Sequence, residues 1–354
     1  MHALLSSLLL LGSVASPSVT AGGWTQAPRM LLQVTDQTDT VLQDGRVLVS
    51  GGYLSLGGWP VAEAQLYDPA TSSWSLASPM HEARAADTAT MLPDGRVLVA
   101  GGFGVRLKPL AGAEIYDPVT GSWTLTSVLP ATRFSHSASL LPDGRVLLVG
   151  GIVNGRISRS TAIYDPRTDH WTAGKPTHLL HAGLRAATLR NHDVLIAGAF
   201  GGGPEIFHPA SNSWTAVGTT PLREAPIMER LPNGSVLLAS GEGVNHRDLR
   251  TARLFDPRTR LWSATGSMRS PRNDAASAVL PDGRVLVAGG EQVSVHVLKS
   301  LEIYDPTSGT WTQGASMLIP RDGASATTLP DGKVMMCGGA DFSGVLSSCE
   351  MYAP

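Results

Sequence analysis

The chain is poor in cysteine and in charge. Of 354 residues only Cys337 and Cys349 are cysteines, too few for a disulfide-built scaffold or a zinc cluster. Charged residues make 16% of the chain, and 27 basic against 29 acidic side chains leave a formal charge of −2. That balance supplies no basic field for nucleic acid or anionic lipid. After residue 21 no stretch is long and apolar enough to span a bilayer. Segments of helical period are missing, as are a Gly-Lys-Ser phosphate loop and a Gly-x-Ser-x-Gly elbow. No metal or cofactor is therefore expected, and no partner of nucleic-acid type. What the chain has in excess is turn residues, Gly 39 and Pro 24, the composition of many short strands joined by tight turns.

Residues 1–21 read as a secretory leader. Leu4, Leu5 and Leu8 to Leu11 form a short apolar region, and Val19-Thr20-Ala21 places small residues before a cleavage point. The mature chain is then 22–354, exported to the periplasm or the medium.

A repeat governs everything after the leader. Trp24, Trp74, Trp123, Trp171, Trp214, Trp262 and Trp311 are 50, 49, 48, 43, 48 and 49 residues apart. Twenty-seven residues after each stands a glycine, from Gly51 to Gly338, in five cases the first of a Gly-Gly pair. Seven residues ahead of each Trp from Trp74 onward comes Tyr or Phe, the last such aromatic being Tyr352, with Pro two places after it. Within a unit, Arg96-Val97-Leu98-Val99-Ala100 is a nearly continuous apolar run, as expected of a strand buried on both faces. Leu-Pro-Asp-Gly before it is a hairpin turn, in which proline presets φ and glycine takes the left-handed position. A third strand ends in the Tyr, and Asp-Pro-x-Thr turns the chain into the Trp strand.

Four antiparallel strands repeated in this way predict an all-β chain, a seven-bladed β-propeller. The Gly-Gly pair, the Tyr and the Trp seven residues beyond it resemble the kelch motif, over essentially the whole of Trp24 to Tyr352. The resemblance implies fold more than activity, because kelch propellers include oxidases, epimerases and adaptors. Trp and Tyr, recurring in every unit, are assigned to packing.

The chain starts on a Trp strand and ends after a Tyr strand. Pairing Trp24 with Tyr352 closes the ring with the N-terminal strand and removes two free edges. Cys337 and Cys349 then face each other across one hairpin of the last blade, where an exported protein favours a disulfide over two small buried thiols.

Unit four departs most: His192 stands where glycine belongs and His208 replaces Asp. Unit five reads Ser240-Gly241-Glu242. Ten residues past Trp stand Arg84, Arg133, Arg272 and Arg321, with Val34, His181 and Glu224 at the matching positions. This link is expected on the same face as the variable loops between second and third strands, which carry Trp59, Arg106, Arg156 and His246. These eight residues form the predicted binding surface, with the repeated Asp turns making the opposite face negative. The arginines either clamp an anion or tie the link locally to Asp87, Asp274 or Asp322. The favoured function is a secreted, monomeric binding module with no catalysis, its loop face meeting a protein or a glycan, an anionic one included. The alternative, an exported sugar-acid epimerase resembling the sialate epimerases, would use an arginine together with Glu224, His181 or Glu242.

Overall fold

The computed structural model describes residues 22–198, 202–221, 223–243, 246–292 and 296–354; the expected leader lies outside them. Among the described residues strands are nearly the only regular element, with a single three-residue 3₁₀ turn at Val105–Leu107. No helix is long and apolar enough to cross a membrane.

Seven four-stranded antiparallel sheets follow one another along the chain. In sheet one Thr38–Val41, Val47–Ser50, Ala64–Asp68 and Ser73–Leu76 pair in sequence order. Sheets two to six begin at Thr88, Ser137, Arg185, Ile227 and Ala276 and keep the same order. Sheet seven takes three strands from the C-terminus, Ser325–Thr328, Val334–Cys337 and Cys349–Ala353, and its fourth is Gly23–Ala27. The register aligns Trp24 with Tyr352 and Ala27 with Cys349.

The second strand of every sheet, such as Val97–Ala100, is buried along its full length, which explains its unbroken apolar sequence. The core lies between neighbouring sheets. Leu98, Ala100 and Ile115 of sheet two pack on Val146, Leu148 and Tyr164 of sheet three. Met335 and Cys337 of sheet seven pack on Val47, Val49 and Tyr67 of sheet one in the same manner. Each Tyr or Phe lies beside the Trp of its own sheet, with ring centroids 4.9 to 5.2 Å apart. Except at Trp171, the indole nitrogen reaches back to the preceding link, as Trp123 to Ser78 O at 2.8 Å and Trp74 to Pro28 O at 3.0 Å. These rings therefore pack the sheets together.

The Gly-Gly pair has a steric cause. Both residues are left-handed, Gly51 at φ 69° and Gly52 at φ 86°, and a Cβ on Gly52 would lie 2.3 Å from Thr35 O. Thr35 belongs to the link, and it pairs with Tyr53 just beyond the glycines. The same pairing joins Ala85 to Phe103, Asn273 to Glu291 and Asp322 to Ala340. Links and second-to-third-strand loops therefore share a face, as the alternation of strands predicts. Cys337 and Cys349 are disulfide-bonded, with Cα atoms 4.2 Å apart.

Candidate functional site

The arginines of the links are not on the surface. Arg84, Arg133, Arg272 and Arg321 are at most 1% exposed. Arg84 Nη1 donates to Gly101 O at 2.9 Å and to Gly112 O at 3.3 Å, and its Nη2 donates to Glu114 Oε1 at 2.8 Å. Glu114 also accepts the backbone N–H groups of His81 and Glu82 at 2.7 and 3.0 Å. Burial alone would raise this carboxyl, but these donors hold it below its ordinary value. Glu302 serves Arg272 and Glu350 serves Arg321 in the same way. The expected partners Asp87, Asp274 and Asp322 do not serve. The local tie is thus real, but its acid is the residue two places before the Tyr. Buried and turned into their own sheets, with only Nε left without a partner, these arginines offer nothing to a solute.

The remaining sheets vary the tie. In sheet four His181 Nε2 meets Glu205 Oε1 at 3.0 Å, removing His181 from the acid–base candidates. Burial raises Glu205, but hydrogen bonds led by that of His181 outweigh it and bring the carboxyl to about 2. In sheet one the neutral pair Val34 and Gln65 suffices, Gln65 Oε1 accepting Leu31 N at 3.0 Å. Arg133 and Arg223 have no carboxylate, and burial lowers both guanidinium groups to about 10.

Sequence reasoning missed Arg223. It lies nine residues after Trp214, because the link to sheet five is one residue short. The same deletion shifts the glycine pair, so that Ser240 at φ 57° and Gly241 at φ 92° occupy the two left-handed positions. Glu242 then matches Tyr53 and Phe103, not the second glycine. The signal was Ser240-Gly241-Glu242, which falls into line with the other glycine pairs once the link is counted one residue short.

Two residues after each tie position the backbone turns left-handed, at Asp36, Ala86, Ser135, Gly183, Ala225, Asp274 and Gly323. Several of these turns bond to one another: Ser135 N to Ala86 O at 3.2 Å, Gly183 N to Ser135 O at 3.0 Å and Asp36 N to Gly323 O at 3.1 Å. They rim a central cavity of about 420 Å³ on the loop face. Its carboxylates are Asp36, Asp87, Glu224 and Asp274, its guanidinium is that of Arg185, and His136, Tyr53 and Phe103 complete the chemically active part of the lining.

Burial and the neighbouring Asp274 and Asp322 raise Asp36 to about 6. Burial raises Asp87 to about 6 despite Arg84 close by. Glu224 is raised by burial and then by Glu242 and Asp274. Burial, with the charge of Arg133 behind it, lowers His136 to about 3, so its ring is neutral. The two halves of the mouth differ. Sheets five to seven contribute Glu224, Glu242, Asp274, Glu291 and Asp322, whereas sheets one to three contribute Tyr53, Phe103 and Phe134 in successive contact at 6.2 and 5.2 Å.

The expected charge separation of the faces is therefore corrected. The loop face is acidic at its centre, and the basic Arg106 and Arg156 stand exposed on peripheral loops. On the opposite face the acids of the Asp-Gly turns are paired with the base two residues later, as Asp94 with Arg96 at 2.7 Å and Asp143 with Arg145 at 2.7 Å, whereas Asp68, Asp117 and Asp305 of the Asp-Pro turns accept backbone N–H groups and keep their charge. His246 is exposed and bonded to Glu242. Trp59, 54% exposed, lines an apolar annex of about 370 Å³ with Leu56 and Leu107, and the annex shares Asp36 and Tyr53 with the central cavity.

Sheets packed in this way, with their first strands around a shared cavity, define a β-propeller. The kelch motif model matches three segments of the chain, residues 84–127, 133–177 and 273–318. No curated protein matches it in sequence. Among 1025 solved chains that match in structure is a fungal alcohol oxidase of the AA5 family in complex with copper. The likeness has a TM-score of 0.79 at 20% identity and covers 95% of this chain and 77% of that one, which speaks for the fold alone. Both cysteines are joined to each other, and among the described residues no three His, Cys, Asp or Glu side chains are grouped to hold a metal.

Proposed function

We propose that the protein is an exported binding module that takes its ligand in the central cavity and on the loops around it. Residues 22–354 act as one domain, with the seven sheets as blades and the N-terminal strand closing the ring. Supporting closure, Asp36 N bonds Gly323 O, Trp24 Nε1 bonds Ala315 O at 3.0 Å, and strand Gly23–Ala27 completes sheet seven. Removal of the leader 1–21 and a disulfide in the last blade agree with an oxidising compartment.

The observation that carries the binding reading is the contrast between backbone and side chains at the mouth. The left-handed turn recurs in all seven links, yet the side chains beside it differ from sheet to sheet, and a rigid frame with variable contacts is how binding loops are built. Ligand classes consistent with this surface are proteins and glycans.

Ser135→Trp and Ala86→Phe test it. Both positions are non-glycine at φ 52°, so a larger side chain enters the cavity without new backbone strain. A peptide or glycan retained by the wild-type protein in a panel should bind each variant at least tenfold more weakly, at an unchanged melting temperature. Equal binding by wild type and both variants refutes the cavity as the site.

A further inference from the structure

Resting on that reading, we infer that the ligand is an organic cation, an ammonium or guanidinium group carried on a planar or apolar arm. The cation sits among the cavity carboxylates Asp36, Asp87, Glu224 and Asp274, and the arm against the aromatic rings of sheets one to three. The expectation of an anionic ligand is thereby reversed.

Four carboxylates and one guanidinium line the cavity, so acid outnumbers base there even with Arg185, whose Nε donates to Pro226 O at 3.3 Å. Independently of the charge count, the lining contains hydrogen-bonding atoms with nothing to bond. Both carboxylate oxygens of Asp87 are buried without a partner. His136 is 6% exposed; its Nε2 meets Thr88 Oγ1 at 3.0 Å, and its Nδ1 has no partner. Buried carboxylate oxygens such as those of Asp87 carry a desolvation cost that a ligand rich in N–H donors relieves. An ammonium has three donors and a guanidinium five.

The other half of the mouth fits the arm. Tyr53, Phe103 and Phe134 form a continuous aromatic arc, and the annex beside Tyr53 adds Trp59, Leu56 and Leu107, each more than half exposed. Aromatic faces near a carboxylate rim favour cations twice over, by charge and by the ring quadrupole. Trp59 is the only tryptophan outside the repeat, and blade packing does not account for it. A bare metal ion suits the place poorly, since no three donors converge among the described residues.

Calorimetric titration of the full mature protein with phenethylammonium, 2-phenylethanol and 3-phenylpropanoate separates charge from shape. Phenethylammonium should bind at least tenfold more tightly than the alcohol or the carboxylate, and the preference should shrink as salt rises. The double variant Asp36→Asn/Asp274→Asn should lose at least tenfold for the ammonium. Both residues are left-handed at φ 54° and 45°, a conformation asparagine also tolerates, so the melting temperature should hold. Trp59→Ala should weaken phenethylammonium several-fold and leave any calcium binding unchanged. Agmatine and a capped Gly-Arg-Gly peptide then distinguish a free amine from a protein side chain as the source. Equal affinity for the carboxylate, unchanged binding by the double variant, calcium matching phenethylammonium, or no binding of any probe overturns the inference. If 3-phenylpropanoate binds in a manner sensitive to Ser135→Trp, the binding site stands and only its charge preference falls.

Discussion

Arg272→Val tests whether the buried arginines are structural. Arg272 Nη1 donates to Gly289 O at 2.9 Å and Ser300 O at 3.1 Å, while Nη2 donates to Ser300 Oγ at 3.0 Å and Glu302 Oε1 at 3.1 Å. Removing it strands Gly289 O, leaves Ser300 O only the Gly289 N–H at 3.2 Å, and leaves Glu302, 2% exposed, as a buried charge held only by Arg269 N and Ser270 N. Breaking such a pair from one side costs about 3–5 kcal/mol. With an unfolding entropy of roughly 2 cal/mol/K per residue, that corresponds to about 4–7 °C for a chain of this length. Lysine at 272 should recover little, because a single ammonium cannot replace the fork that spans two carbonyls and a carboxylate. Arg272→Val combined with Glu302→Gln transplants the neutral solution of sheet one, Val34 with Gln65, and should regain at least half of the loss. Urea midpoints and melting curves of the single and double variants provide the measurement. A single-variant cost under about 1 kcal/mol, or a double variant no better than the single, refutes the tie.

Three further outcomes follow from other parts of the molecule. Burial raises Asp39 and Asp87 to about 6, so the folded protein holds their protons more tightly than the unfolded chain, and stability falls as pH rises from about 4 to 6. Asp87→Asn should accordingly raise stability at pH 8 by roughly 1–3 kcal/mol and change nothing at pH 4; a loss at pH 8 would contradict the unpartnered carboxylate. Deleting residues 22–27 opens sheet seven and removes Trp24, 8% exposed, so the melting temperature should drop by more than 10 °C, and an unchanged value would show that the propeller does not depend on this strand. Replacing Cys337 and Cys349 by alanine releases a loop of sequence separation 12 and should cost about 3 kcal/mol, while the unreduced wild type should take up no alkylating reagent.

The repeat was legible because packing demands it. A Trp and a Tyr or Phe that must meet recur in every unit at nearly fixed spacing, and a glycine pair that must pass beneath a carbonyl recurs in five of the seven, so their periods fixed the strand order and the pairing of Cys337 with Cys349. The same regularity misled where one residue was missing. Counting from Trp214 placed Glu224 at the tie and hid Arg223, since a deletion in a link leaves the strands intact but shifts every count across it.

What the linear order could not decide was which way a link side chain turns. Arg84 and Asp87 are three residues apart, yet the first points into its own sheet toward Glu114 and the second lines the cavity. That choice depends on the left-handed residue between them and on the carbonyls of Gly101 and Gly112, which come near only when the sheet has formed. The acidic half of the mouth has the same origin. Glu224, Asp274, Asp322 and Asp36 are scattered along the sequence at intervals too long to read as a cluster, and become neighbours only because successive sheets turn their links toward one centre.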